Sequence, residues 1–266
     1  MSAIFLADAH ESAKNQRFAA FLDLFERDFK GTKQLFLLGD IFDLLVGEVL
    51  AGQDFAQSYI YRLEQIAKSG VEVFYLEGNH DFNLRRFFTQ VRVIPIEKQP
   101  FLIELAAEPA KELAGELAKE PKTVKIALAH GDIFLPKLTQ KALALLRQPW
   151  LLKGLNSLDF GSFISKRILK KQAKRDLAYQ MLDIKGFAQE RLGHYEALGV
   201  DLALEGHFHQ GYFLNKALEG SAFSDENGLR LQKLAINSLK YINLPVFACK
   251  GSFLHLDCGF FSIKEL

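Results

Sequence analysis

Apolar and polar positions alternate along the chain in a repeated order: a short apolar run, a polar or glycine turn, then apolar residues at helical spacing. Residues 3–7 form the first run, too short for a helix and therefore a strand. Residues 15–30 carry Phe18, Phe21, Leu22 and Phe25 on one helical face. The run 35–38 (Leu-Phe-Leu-Leu) predicts a buried strand, and Gly39 lets the chain turn tightly after it. Residues 56–68 are helical again and close on Ser69-Gly70, a C-cap pair. Residues 71–76 are β-branched and aromatic, hence a strand. Strand, helix, strand, helix, strand in order predicts a mainly parallel sheet. Residues 91–105 read as extended, hairpin-type structure, and strands follow at 124–129 and 202–205. After Gly211, short β-type runs at 229–236, 241–247, 252–256 and 260–263 predict a second, largely antiparallel sheet packed on the first.

Two segments break this order. Residues 106–122 are low in complexity, rich in Ala, Glu and Lys, and bounded by Pro109 and Pro121. They read as a solvated helical or mobile extension of a hairpin tip. Between His130 and His207 the chain is too long for a simple connection. Residues 143–158 hold Leu143, Leu145, Leu146, Trp150, Leu151, Leu152, Leu155 and Leu158. Lys166, Arg167, Lys170, Lys171, Lys174 and Arg175 then follow within ten residues. Greasy surface beside a basic rim suits an anionic amphiphile or a membrane surface. Packing of the leucines on the core, with solvated cations, is the plain alternative.

Composition narrows the class. Nearly half of the 266 residues are apolar, with 24 Phe, so a sizeable core is expected. A net charge of +1 gives no global pull toward nucleic acid or membrane, and no obligate protein partner is inferred. The start lacks the basic and long apolar regions of a signal peptide, and no apolar segment of about 18 residues appears. Cys249 and Cys258 are expected to be reduced core residues.

The chemistry sits where strands are predicted to end. The run 3–7 delivers Asp8 and His10; the run 35–38 delivers Asp40 and Asp43; the run 71–76 delivers Asn79, His80 and Asp81. The run 124–129 ends in His130-Gly-Asp132, and 202–205 in Gly-His207-Phe-His209. In α/β sheets, ligands gather outside the carboxyl ends of strands. Any one of these motifs alone is more often a turn or a loop cap. Five of the seven histidines placed this way are hard to explain by packing. Mixed nitrogen and oxygen donors suit divalent Mn, Fe, Co, Ni or Zn better than calcium.

Asp8-x-His10, Gly39-Asp40-x-x-Asp43, Gly78-Asn79-His80-Asp81, His130-Gly-Asp132 and Gly206-His207-x-His209, in that order, resemble the calcineurin-like metallophosphoesterases. The resemblance implies a four-layer α-β-β-α sandwich and two divalent metal ions. It places Asp8, His10, Asp40 and His209 on one ion, and Asp40, Asn79, His130 and His207 on the other, with Asp40 as the bridge. It also implies that His80 acts on the phosphoryl group, beside Asn79. Asp43, Asp81 and Asp132 are expected to orient ligands or, equally, to cap loops.

Within that superfamily the layout is similar to the UDP-2,3-diacylglucosamine hydrolases of lipid A synthesis, which carry a helical cap in this place. The chain departs from many of them in having His80 where they have arginine. The resemblance implies hydrolysis of a UDP-linked diacyl sugar, with Mn2+ and peripheral attachment to the inner membrane from the cytoplasm. It sets a core of residues 1–134 and 200–266 and an inserted cap of 135–199. The cations Lys166, Arg167, Lys170, Lys171 and Lys174 become candidate substrate contacts, with Asn79 and His80. Two other functions remain open: a phosphodiesterase, phosphatase or nuclease for another substrate, and a non-enzymatic scaffold of the same fold.

Overall fold

Three apolar strands found the first sheet: β1 (Ser2–Leu6), β2 (Gln34–Leu38) and β4 (Glu72–Leu76), paired in parallel. Their side chains alternate between two covered faces, which is why they read as continuous apolar runs. On one face Phe5, Phe36 and Phe74 stack, with centroids 4.8 and 4.7 Å apart. On the other, Ile4, Leu35 and Val73 meet Phe18, Phe21, Leu22 and Phe25 of α1 (Arg17–Asp28) and Tyr59 and Leu63 of α2 (Gln53–Lys68). Fully burying one such side chain contributes roughly 1.5–3 kcal/mol. β3 (Leu45–Val46) and β5 (Asp81–Phe82) pair in parallel as a two-stranded ribbon, and β6 (Arg92–Ile94) extends the sheet beside β4. The structure is a computed structural model that describes residues 2–107, 122–158, 176–217, 220–222 and 234–266, and Arg167.

The second sheet runs in the order β11 (Gly220–Ala222), β10 (Gln210–Asn215), β13 (Leu239–Pro245), β9 (Leu202–Glu205), β8 (Lys122–Ala129), β7 (Phe101–Ala107). One face meets the Phe5 face of the first sheet through Ile126, Leu128, Leu202, Leu204, Ile242 and Leu244. The other is covered by helix Ile184–Glu196, through Ala188, Leu192 and Tyr195. Helix, sheet, sheet, helix is the four-layer sandwich expected. The C-terminal strands depart from expectation. β14 (Phe253–Asp257) pairs antiparallel with β1, and β15 (Phe260–Lys264) and β12 (Leu234–Ala235) continue from it, so all three complete the first sheet. Among the described residues after Gly206, only β10, β11 and β13 join the second. Residues 91–105 also divide, β6 to the first sheet and β7 to the second. The cysteines are corrected too: Cys249 is half-buried and Cys258 exposed, both as free thiols.

α3 (Lys137–Leu146) and α4 (Pro149–Leu158) lie in the long segment after β8. Of their apolar residues only Leu152 is buried. Leu138 is 81% exposed, Trp150 65% and Leu158 68%. Most of the 106–122 stretch and the cations Lys166, Lys170, Lys171 and Lys174 lie outside the described residues, while Arg167 is exposed.

Candidate metal centre

The loops after β1, β2, β4, β8 and β9 converge at one end of the sandwich. Asp8 N–H donates to Gly39 O (3.1 Å) and His10 N–H to Asp40 O (3.0 Å), zipping the first two loops together. Asp8, His10, Asp40, His207 and His209 all have positive φ, between 44° and 66°. Non-glycine residues rarely adopt that region, and such strain persists where the surroundings over-determine it. Two glycines let the loops close. A Cβ on Gly78 would stand 2.3 Å from Asp40 Oδ1, and one on Gly206 2.7 Å from Asp8 Oδ2. Asp81 adds a brace, accepting from Asp40 N (2.9 Å), Ile41 N (2.6 Å), Gly78 N (3.0 Å) and the Tyr75 hydroxyl (2.6 Å).

Hydrogen bonds to acceptor-only groups fix the histidine tautomers. His130 Nδ1–H donates to Leu38 O (2.8 Å), His209 Nδ1–H to Leu177 O (3.2 Å) and His80 Nδ1–H to Asp43 O (3.0 Å). His10 Nδ1 lies 3.5 Å from the Asp43 carboxylate. The Nε2 atoms are thereby turned inward. His130 Nε2 stands 3.2 Å from Asn79 Oδ1, 3.1 Å from His207 Nδ1 and 3.5 Å from Asp40 Oδ2. His209 Nε2 stands 3.2 Å from Asp8 Oδ1.

Donor atoms therefore gather in three overlapping groups: Asp8, His10 and His209; His10, Asp40 and His80; Asp40, His130 and His207. Asp40 belongs to two of them. Burial would raise the Asp40 carboxyl, but His130, His80 and His10 hold it well below the usual range. Burial would lower His130, yet Asp40 and then Asp132 and Asp8 hold it well above the usual range. Burial and the neighbouring His130 push His207 down to about 4. Asp81 is pushed up to about 7 by burial and by Asp40. A buried carboxylate core that draws positive charge onto His130 is a site built for cations.

The residues fit metal. Asp8 Oδ1 and His10 Nε2 are buried without a hydrogen-bond partner; His209 Nε2, though near Asp8 Oδ1, is not in bonding geometry. Orphaned buried polar atoms are costly and rare, and a cation between these donors resolves both. Overlapping nitrogen-and-oxygen donor groups, two of them sharing Asp40, on the carboxyl ends of sandwich strands, are the site of a metal-dependent hydrolase of the dinuclear type. The sequence profile of the calcineurin-like phosphoesterases matches residues 1–211, and the chain belongs to that family. It is a metal-dependent phosphoester or pyrophosphate hydrolase of a family whose site holds two divalent ions.

The chain is also similar to proteins named UDP-2,3-diacylglucosamine hydrolase. One from Vibrio atlanticus is 25% identical over 215 residues, covering 79% of this chain and 81% of its own. One from Pseudomonas aeruginosa is 25% identical over 222 residues, covering 79% and 82%. One from Vibrio cholerae is 23% identical over 219 residues, with the same two shares.

All seven residues expected to hold metal thus stand in one loop cluster, with His80 among them. Asp43 touches His10 and His80. Asp132 accepts from Nη2 of Arg147, the residue that caps α3, at 2.6 Å, and its Oδ1 is buried without a partner. Gln99, outside every motif in the sequence, accepts from His130 N (2.7 Å) and donates to Glu77 O (2.8 Å). Asp176 and Leu177, equally without a motif, line the cavity of about 300 Å³ with His10, Asp40, Asn79, His80, His207 and His209.

Proposed function

We propose that this enzyme hydrolyses the pyrophosphate bond of a UDP-linked glucosamine bearing two acyl chains, releasing UMP and the diacylated glucosamine 1-phosphate. The observation that carries this reading is the uncovered apolar surface of α3 and α4, pinned against the metal centre's loops. Arg147, at the C-cap of α3, bonds Asp132, its carbonyl accepts from Asn83 Nδ2 at 3.0 Å, and its guanidinium lies 5.6 Å from the Phe82 ring centroid. Between α3 and the His130 loop opens a cavity of about 340 Å³, lined by Ile96, Ile133, Phe134 and Leu143 among others. Each acyl CH₂ buried on such surface contributes about 0.8 kcal/mol. The names of the similar proteins point to the same substrate class.

In this reading Asp8, His10, Asp40 and His209 hold one Mn2+, and Asp40, Asn79, His130 and His207 the other. When bound, the two ions draw charge from the phosphoryl oxygens and lower the pKa of the attacking water. His80, its ring fixed by the Asp43 carbonyl, faces the same cavity through Nε2. It steadies the charge developing on phosphoryl oxygen and, when both ring nitrogens carry protons, passes the Nε2 proton to the leaving oxygen. Residues 135–199 are an inserted cap on a core of 1–134 and 200–266, and helix Ile184–Glu196 anchors the insertion to the second sheet. No described helix is long and apolar enough to cross a membrane. Contact with an anionic leaflet, from the cytoplasmic side, falls to Lys166, Arg167, Lys170, Lys171 and Lys174, at about 1 kcal/mol each.

Side-by-side rates on acylated and deacylated UDP-glucosamine test the reading. The acylated substrate is expected to be preferred by orders of magnitude in kcat/KM. Equal rates, or faster cleavage of a nucleic acid or simple phosphodiester, would overturn the substrate and leave the family chemistry intact.

A further inference from the structure

Arg191, on helix Ile184–Glu196, and Glu205, the last residue of β9, form an ion pair that the metal chemistry does not use. They are 6% and 0% exposed. Glu205 accepts from Arg191 Nε (3.0 Å) and Nη2 (2.6 Å), from the Tyr195 hydroxyl (2.7 Å) and from the Tyr241 hydroxyl. Apolar residues of similar volume commonly stabilise a fold as well as a buried ion pair or better. Packing therefore gives no reason for this one.

Its hydrogen bonds give the reason. Arg191 also donates through Nη2 to Gly131 O (3.0 Å) and through Nη1 to Ile133 O (2.9 Å), the carbonyls on either side of Asp132. Gly131 follows His130, and Glu205 stands two residues before His207. One side-chain pair therefore ties together the two loops whose histidines face each other at 3.1 Å. These loops touch: a Cβ on Gly131, at φ 127°, would lie 2.9 Å from His207 Cβ. The guanidinium is held in its plane by the rings of Phe134, Tyr195 and Phe208, at 5.3, 5.9 and 5.2 Å. A planar fork that meets a carboxylate and two carbonyls together is a geometry lysine cannot reproduce.

We propose that Arg191 and Glu205 are positioning residues that set the affinity of the metal position formed by His130 and His207, leaving the position formed by Asp8, His10 and His209 unchanged. The proposal rests on the ligand assignment above. Groups that orient metal ligands typically change affinity by about 10–100-fold when replaced.

The test is manganese titration of the metal-free protein, with electron paramagnetic resonance to distinguish isolated from coupled ions. The unaltered chain is expected to bind two ions, the second producing the coupled spectrum. Arg191→Lys keeps the charge and loses the fork. It is expected to bind the first ion as tightly as before and the second about 10–100-fold more weakly. Tyr241→Phe removes one hydroxyl from Glu205, keeps both charges, and is expected to show a smaller loss at the second ion alone; should Arg191→Lys not fold, this variant decides. A folded variant that binds both ions as tightly as the unaltered chain, or weakens both equally, overturns the proposal. Fewer than two ions in the unaltered chain overturns the ligand assignment, and the proposal with it.

Discussion

Gly78→Ala places one methyl group where the metal centre has no room for it. The added Cβ would stand 2.3 Å from Asp40 Oδ1 and 2.7 Å from Asp40 N, whereas real Cβ contacts start near 3.0 Å. One partner must retreat by about 0.7 Å, and both sides are held: Gly78 N and Asp40 N are anchored on the same Asp81 oxygen. Overpacking of this kind costs about 1–3 kcal/mol, which in a chain of this size lowers the melting temperature by roughly 2–4 °C per kcal/mol. The larger effect is on Asp40. Metal ligands must sit within about 0.5 Å of their working positions, and a misplacement near 1 Å can cost about 10²-fold in rate. Elemental analysis of metal content, far-UV circular dichroism and turnover of an activated phosphodiester measure each part. A folded Gly78→Ala protein with unaltered metal content and turnover would refute the placement of Asp40 against Gly78.

Asp40→Ala is expected to remove turnover and metal binding together, since Asp40 stands in two of the three donor groups; full activity after exhaustive chelation would contradict it. His80→Ala is expected to lower kcat by about 10²–10⁴ with metal content intact and partial rescue by a good leaving group. Loss of metal in that variant would make His80 a ligand instead. Gly193→Ala, exposed on helix Ile184–Glu196 with nothing within 4 Å of the new Cβ, is expected to stabilise the fold by about 0.5–1 kcal/mol, read as a raised melting temperature.

The loops of the cluster were legible because each joins two local signals, an apolar run and a polar residue at its end. β1, β2 and β4 carry strand and candidate donors in the same few residues. The C-terminal strands carried the first signal without the second. Their runs said strand, but whether β14 would pair with β1 or with β13 is a choice of partner some 250 residues away. Asp132 looked equivalent to Asp81 in sequence; its partner, Arg147, is supplied by α3. Arg191 is helix-borne and polar, so it reads as solvated surface until the helix docks on β9 beside the buried Glu205. Gln99 sits in a loop without any motif, and only the meeting of the β4 and β8 ends gives it a task.

The proposed function requires two ions that share Asp40 at this loop cluster. Anomalous diffraction at the manganese edge, from crystals of the metal-loaded chain, tests it directly. Two peaks are expected, one among Asp8, His10 and His209 and the other among Asn79, His130 and His207, each within ligand distance of Asp40. A single peak, or a pair that leaves Asp40 uncoordinated, would contradict the account.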